Sequence, residues 1–238
     1  MINVMAAATR ISKLHTIQAT ANHTATLIFF HGSGDTGNNV KDWIKLLNKE
    51  ELKFPHIKIV YPTAPLQPYT PNNGEPSNVW FDRSAISKSA PELQASIDSM
   101  CSEVSGIVEK EIACGIPVNR IVLGGFSMGG ALSLHMAYRH RTSVAGCCAM
   151  SSFLNDNSLV YEALKTATTG NTPPLLQFHG VRDDLVPIEW GEETFKLLTE
   201  LGVKGEFVPL KNAYHELTKL EVQKFKEWLL NVIPEESS

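Results

Sequence analysis

The stretch RIVLGGFSMGG, residues 120–130, runs from an apolar segment into glycines that surround a single serine. Gly125, Ser127 and Gly129 form the pattern G-x-S-x-G, and helix-forming residues follow directly. Between a strand and a helix, this pattern is typical of a sharp turn that lifts a serine hydroxyl clear of a sheet, where side chains at the flanking positions would collide with neighbouring backbone. Ser127 is therefore a candidate nucleophile. The alternative is a serine in a glycine-rich turn that only lets the chain reverse.

Short apolar runs alternate with amphipathic stretches along the chain, which indicates the α/β class. Six aliphatic runs, most of them ending at glycine or proline, predict buried strands at residues 26–32, 57–62, 120–125, 144–151, 174–180 and 206–210. A polar-alternating run at residues 11–18 predicts an antiparallel edge strand. Apolar residues recur at helical spacing between Pro91 and Gly115, and again between Val222 and Leu229. We therefore expect a mostly parallel central sheet with helices on both faces.

Composition excludes several classes of function. The net charge of −4 offers no basic surface for nucleic acid, and no apolar run approaches the roughly 20 residues that cross a bilayer. We expect no nucleic-acid partner and no stable membrane insertion. No repeat, linker or charge run divides the chain, which predicts a single domain over residues 1–238. The sequence leaves open the order of its first ten or so residues and the oligomeric state.

The four cysteines lack the spacing of metal ligands. Cys147 and Cys148 are adjacent within a predicted strand, so their side chains should point to opposite faces of the sheet. Free thiols in a reducing compartment are therefore favoured over disulfides. The N-terminus has no apolar core of a secretory signal, and a cytoplasmic location is expected.

The longest irregular stretch is YPTAPLQPYTPNNGEPSNVWFD, residues 61–82, which contains five prolines. A loop of this length in a compact domain is usually functional or disordered. Because Trp80 and Phe81 close it, we expect it to fold over another part of the protein. A stiff proline-rich surface loop is the alternative.

A serine hydroxyl becomes a good nucleophile only when a base accepts its proton. The best candidate base is His215 in KNAYHELTKL, since it follows the last predicted strand and precedes the last helix, at the sheet edge where Ser127 also lies. The alternative is a histidine that only starts that helix. The other histidines are assigned to strand ends (His31, His179), to surface-like contexts (His15, His23, His56) or to the helix after Ser127 (His135, His140).

The base needs a carboxylate to orient it, and in the chain order of α/β-hydrolases that carboxylate lies between the serine and the histidine. PLLQFHGVRDDLVP, residues 174–187, ends a strand and then presents Asp183 and Asp184. Two adjacent carboxylates can raise the pKa of one of them. An oxyanion hole is also expected, with one donor from the amide of Met128 and another from the glycine-rich loop at residues 29–37.

Four segments together resemble the acyl-protein thioesterase and carboxylesterase branch of the α/β-hydrolases. They are HGSGDTG (residues 31–37), GFSMGGALSL (125–134), HGVRDDLVP (179–187) and NAYHEL (212–217), and the resemblance runs from about residue 26 to 230. It implies an α/β-hydrolase fold without metal or cofactor, which cleaves carboxylic esters and thioesters through an acyl-enzyme. It also implies that Ser127 is the nucleophile, His215 the base and Asp183 its orienting carboxylate.

The same resemblance assigns the oxyanion-hole amides to Ser33 and Met128, and it places Trp80, Phe81 and Leu185 at the border of the acyl pocket. Members of the branch usually have leucine where Ser33 stands and glutamine where Met128 stands. Both positions act through backbone amides, so the chemistry is retained. Asp184 also departs from the pattern, since it replaces a usual proline.

About two dozen residues separate the strand ending near Ser151 from the one starting near Pro174, too few for a large cap domain. With no cap and a polar covering loop, we expect a shallow site that prefers short acyl esters and thioesters. Protein S-depalmitoylation or lysophospholipase activity on long chains is the alternative, with S-acylated proteins as partners. A non-catalytic binding protein that keeps the fold is the alternative of another class, and a peptidase is a third.

Overall fold

The computed structural model describes residues 10–11, 13–167 and 172–236. Its strands are β1 (Lys13–Ile17), β2 (Ala25–Phe30), β3 (Ile57–Thr63), β4 (Leu66–Pro68), β5 (Pro76–Asn78), β6 (Ile121–Phe126), β7 (Gly146–Met150), β8 (Leu175–Gly180) and β9 (Gly205–Leu210). Its α-helices are α1 (Gly37–Asn48), α2 (Gln94–Ala113), α3 (Met128–His135), α4 (Leu159–Thr166), α5 (Ile188–Glu200) and α6 (Lys219–Val232). The chain after α3 continues in a π-helical turn at Met136–His140.

Seven strands form one sheet in the order β1-β3-β2-β6-β7-β8-β9. β1 pairs antiparallel with β3 at the edge, and all the other neighbours are parallel. This confirms the predicted mostly parallel sheet and its antiparallel edge strand. The reason is visible in β2 and β6, in which every residue is buried, because helices cover both faces of the sheet.

The core lies in two layers, one on each face of the sheet. The layer under α2 and α3 contains Ile97 and Leu132, and the layer under α1 and α6 contains Ile44 and Phe225. Cys147 belongs to the first layer and adjacent Cys148 to the second, as the alternation of a strand requires. All four cysteines are free.

The proline-rich stretch at residues 61–82 is buried at both ends and mostly exposed between them. It completes β3 and then forms the antiparallel hairpin β4–β5. Asp82 binds the turn of this hairpin, because its carboxylate accepts hydrogen bonds from the Thr70 amide at 2.8 Å and the Thr70 hydroxyl at 2.7 Å. Trp80 is fully buried. The expectation that the stretch packs against the protein holds for its two ends, while residues 70–76 form a surface loop.

Two features differ from the sequence interpretation. α1, α4 and α5 lie in stretches that the periodicity did not resolve into separate helices. His56, assigned to the surface, is buried, and its Nε2 lies 2.8 Å from the carbonyl oxygen of Ile233. That partner is remote in sequence, so no local pattern indicates the contact. Within the described residues, no helix combines the length and apolar character needed to cross a bilayer.

Candidate active site

The turn between β6 and α3 holds Ser127 in a backbone conformation that non-glycine residues rarely adopt. Its φ is 54° and its ψ −119°. Because the turn is sharp, backbone atoms pass close to both flanking glycines. A side chain at Gly125 would overlap the backbone of Gly129, and one at Gly129 would overlap the carbonyl oxygen of Phe30. The two flanking glycines of the G-x-S-x-G pattern are thus required sterically, and the strain is concentrated on the serine between them.

The side chains of Ser127, His215 and Asp183 are connected by two hydrogen bonds. Ser127 Oγ lies 3.0 Å from His215 Nε2, and His215 Nδ1 lies 2.7 Å from Asp183 Oδ2. An ionised carboxylate can only accept, so Nδ1 carries the imidazole proton and Nε2 is free to accept from the serine hydroxyl. Loops after three different strands supply the three residues, all at the carboxyl edge of the sheet.

Asp183 has a buried carboxylate that the loop after β8 supports. Its Oδ1 accepts from the amides of Leu185 at 3.1 Å and Val186 at 2.8 Å, and the Nε2 of His179 lies 3.5 Å from its Oδ2. Burial alone would raise the pKa of Asp183, but the bonds from His179, His215 and Val186 outweigh it and hold that pKa well below its usual range. The expectation of a raised pKa therefore does not apply to this carboxylate.

Asp184 differs from its neighbour because its side chain is exposed and makes no hydrogen bond among the described residues. The structure thus separates two carboxylates that the residues alone left equivalent. Only Asp183 faces His215.

Ser33 and Met128 lie side by side next to Ser127. Ser33 Oγ is 3.7 Å from Met128 Sδ, and both residues line the cavity that contains Ser127 Oγ. Within the described part of the chain, neither backbone amide has a hydrogen-bond acceptor. Met128 is the first residue of α3, so its amide points out of the helix N-terminus, where negative charge is favoured.

The cavity above Ser127 has a volume of about 260 Å³. That is close to the lower end of small-molecule sites, which span roughly 300–1,000 Å³. Leu185 lines it, as the resemblance implies. Its wall also contains residues from the proline-rich stretch and the residue after it, and from the segment after β7, namely Tyr69, Arg83, Ser151, Ser152 and Phe153.

Trp80 and Phe81 do not line this cavity, in contrast to the position that the resemblance implies for them. They lie one layer deeper, in the core under α2 and α3. The indole N–H of Trp80 donates to the carbonyl oxygen of His31 at 2.8 Å. A buried indole needs such an acceptor, and only the folded arrangement of the two loops brings one within reach.

Sequence reasoning missed Tyr69, Arg83, Ser151 and Ser152 as cavity residues. Arg83 directly follows the WFD segment, which was the one available signal. Ser151 has a φ of 47°, so the turn after β7 is strained like the turn after β6. Neither its residue type nor its spacing indicated this.

A family model described as Phospholipase/Carboxylesterase matches residues 12–233 of the chain. The chain belongs to this family. It is a serine hydrolase that acts on carboxylic esters, and its α/β-hydrolase fold agrees with the prediction.

Individual relatives agree with the family assignment. Lysophospholipase-like protein 1 of Mus musculus is 48% identical over 221 residues, which cover 93% of this chain and 92% of the mouse protein. Acyl-protein thioesterase 1 homolog 2 of Dictyostelium discoideum is 33% identical over 94% of this chain and all of that protein. Among solved structures, acyl-protein thioesterase 2 of Zea mays superposes with a TM-score of 0.80 at 26% identity, covering 93% of this chain and 99% of the maize chain.

Proposed function

We propose that this protein hydrolyses short-chain carboxylic esters and thioesters through an acyl-enzyme, with Ser127 as nucleophile, His215 as base and Asp183 as the group that orients His215. The observation that carries the proposal is the unbroken path of hydrogen bonds from Ser127 Oγ through His215 to Asp183, at 3.0 Å and 2.7 Å. Such a path gives the hydroxyl a base that is already in the correct tautomer.

In the first half-reaction, Ser127 Oγ attacks the substrate carbonyl carbon while its proton passes to His215 Nε2. The resulting oxyanion accepts hydrogen bonds from the amides of Ser33 and Met128. The tetrahedral intermediate then expels the alcohol or thiol, which takes the proton from His215. In the second half-reaction, His215 deprotonates a water that attacks the acyl carbon, and the acid leaves as Ser127 regains its proton.

The cavity volume of about 260 Å³ supports short acyl chains, because long chains need more enclosed apolar surface than this wall provides. Hydrolysis of S-acylated proteins is the second candidate. It is supported by the relatives named acyl-protein thioesterases and by the exposed Leu185 and Tyr214 beside the triad, which offer apolar surface at its rim.

The first experiment tests the nucleophile. We expect a fluorophosphonate probe to label the wild-type protein and to lose labelling in Ser127→Ala. Ser143→Ala is the matched control, because Ser143 is exposed and outside the cavity. Absence of labelling in folded wild-type protein would support a non-catalytic binding protein instead.

The second experiment measures kcat/KM against acyl length, from two to sixteen carbons, in parallel ester and thioester series. The proposal expects a maximum at short chains and a steep fall beyond them. Equal or faster hydrolysis of decanoyl and palmitoyl substrates would refute the short-chain preference and favour the second candidate.

A further inference from the structure

Arg83 is a cation in the cavity wall without an acidic partner. Its guanidinium carbon lies 5.2 Å from the ring centre of Phe81 and 5.7 Å from that of Phe153. Its Nε is buried and makes no hydrogen bond with the described residues, and no carboxylate among them forms an ion pair with it. Contact with two aromatic faces stabilises the cation partly, but it leaves the buried Nε–H without an acceptor.

Asp82 and Glu92 act on Arg83 electrostatically, but their hydrogen bonds are made with other residues. Asp82 accepts both hydrogen bonds of Thr70, and Glu92 accepts from the Leu159 amide at 2.9 Å and faces His135 Nε2 at 3.2 Å. Burial lowers the pKa of Arg83, although Tyr69, Glu92 and Asp82 oppose that effect. Arginine stays protonated at neutral pH even so, and an anion beside this half-buried cation offsets the free-energy cost of its desolvation.

Three hydroxyl groups share the cavity with Arg83. The side-chain oxygens of Tyr69, Ser151 and Ser152 are buried and have no hydrogen-bond partner within the described chain. Each can donate a hydrogen bond. Together with the guanidinium they form a set of donors that an anionic group with several oxygens satisfies better than a hydrocarbon does.

Arg83 and His215 pack against aromatic residues of opposite core layers. His215 packs against Phe126 at a ring distance of 4.9 Å, and Phe126 belongs to the core layer under α1 and α6. Arg83 packs on Phe81, which belongs to the opposite layer under α2 and α3. The leaving group must stay near His215 to receive its proton, so the acyl group extends the other way.

We propose that the preferred acyl group carries a terminal carboxylate, so that the substrates are mono-esters or mono-thioesters of short dicarboxylic acids and Arg83 determines this specificity. The inference rests on the proposed function and names the substrate class of the same site. Asp35 also lines the cavity and disfavours an anion beside it, which leaves the Arg83 end as the place for the carboxylate.

The test compares esters that differ only in the terminal group: monoethyl adipate with ethyl hexanoate, and monoethyl succinate with ethyl butanoate, by acid release in a pH-stat. We expect the wild type to favour the carboxylate member of each pair in kcat/KM. Arg83→Gln should lower kcat/KM for the carboxylate esters on the order of 10- to 100-fold and change the neutral esters by less than about 3-fold. Arg83→Lys should retain part of the preference.

Arg182→Gln is the matched control, because it removes the same charge from an exposed residue of the loop after β8 that does not line the cavity. It should leave the ratio of kcat/KM between the carboxylate ester and the neutral ester unchanged in both pairs. If Arg83→Gln lowers kcat/KM equally for the carboxylate and the neutral esters, the role of Arg83 is purely structural and the inference is overturned. A wild type that prefers the neutral esters would overturn it as well.

A binding experiment separates the inference from the proposed function. Calorimetry with Ser127→Ala should show binding of monoethyl adipate that the double variant Ser127→Ala/Arg83→Gln loses. Such binding supports the carboxylate site even if no ester is turned over and Ser127 is not labelled, a result that would refute only the hydrolase mechanism. Binding that persists in the double variant overturns the assignment of Arg83.

Discussion

Glu221 is a fully buried carboxyl group at the start of α6, six residues after His215. It forms a reciprocal cap with Thr218: Oε2 accepts from the Thr218 amide at 2.7 Å, and the Glu221 amide donates to Thr218 Oγ1 at 3.2 Å. Its Oε1 has no partner among the described residues. Burial raises the pKa of Glu221 from 4.5 to about 7, with the two bonds to Thr218 opposing it and Glu216 adding to it.

This shift makes folding stability depend on pH in a defined direction. Below pH 4.5 the carboxyl group is protonated in both the folded and the unfolded state, so it contributes no pH dependence. Between 4.5 and about 7 the folded state keeps a proton that the unfolded state releases, and stability falls as the pH rises. Above about pH 7 the whole free-energy cost of burying the ionised carboxylate is present. It is about 3 kcal/mol for a pKa shift of this size, at about 1.4 kcal/mol per pKa unit.

Glu221→Gln should remove that dependence, because the amide stays neutral while its carbonyl oxygen still accepts from Thr218. The difference in free energy of unfolding between the variant and the wild type, measured with urea, should shift in favour of the variant by about 2–3 kcal/mol from pH 5 to pH 8. Glu227→Gln, at an exposed position of the same helix, should show no such gain. A difference between Glu221→Gln and wild type that is the same at both pH values would refute the reasoning.

Three further substitutions test the turn at Ser127, the helix α2 and the candidate triad. Gly129→Ala should abolish labelling of Ser127 and cost roughly 1–3 kcal/mol of unfolding free energy, since the new methyl group overlaps the carbonyl of Phe30; an unchanged melting curve would contradict this. Gly106→Ala, where nothing lies within 4 Å, should instead raise that free energy by about 0.5–1 kcal/mol. Asp183→Asn should fold normally yet lower kcat on the order of 10⁴-fold, because an amide stabilises the wrong tautomer of His215; a loss below tenfold would remove Asp183 from the mechanism.

The sheet could be predicted from the sequence because each strand has a local signature. β2, β6 and β8 are buried on both faces, so they appear as uninterrupted aliphatic runs, and their observed bounds differ from the predicted ones by one or two residues. The missed helix α5 illustrates the limit. It buries only a narrow stripe of residues, so its apolar residues do not stand out from the surrounding loops in the sequence.

The candidate triad could be predicted for the same kind of reason, since each member directly follows a recognisable strand. The choice between Asp183 and Asp184 could not be made from residue type, and it came from resemblance to a family. Folding separates them, because the loop after β8 turns Asp183 toward the amides of Leu185 and Val186 and leaves Asp184 exposed.

The sequence by itself determined that a strained serine, a histidine and a carboxylate meet at one edge of a parallel sheet, because parallel strands bring their carboxyl ends together. Only the tertiary structure decided what surrounds them. The cavity residues come from two distant parts of the chain, Tyr69 and Arg83 from one and Ser151 and Ser152 from the other, and no periodicity connects the two. They form a group because all four line one cavity and because Arg83 Nε and the three hydroxyl oxygens have no hydrogen-bond partner within the described chain.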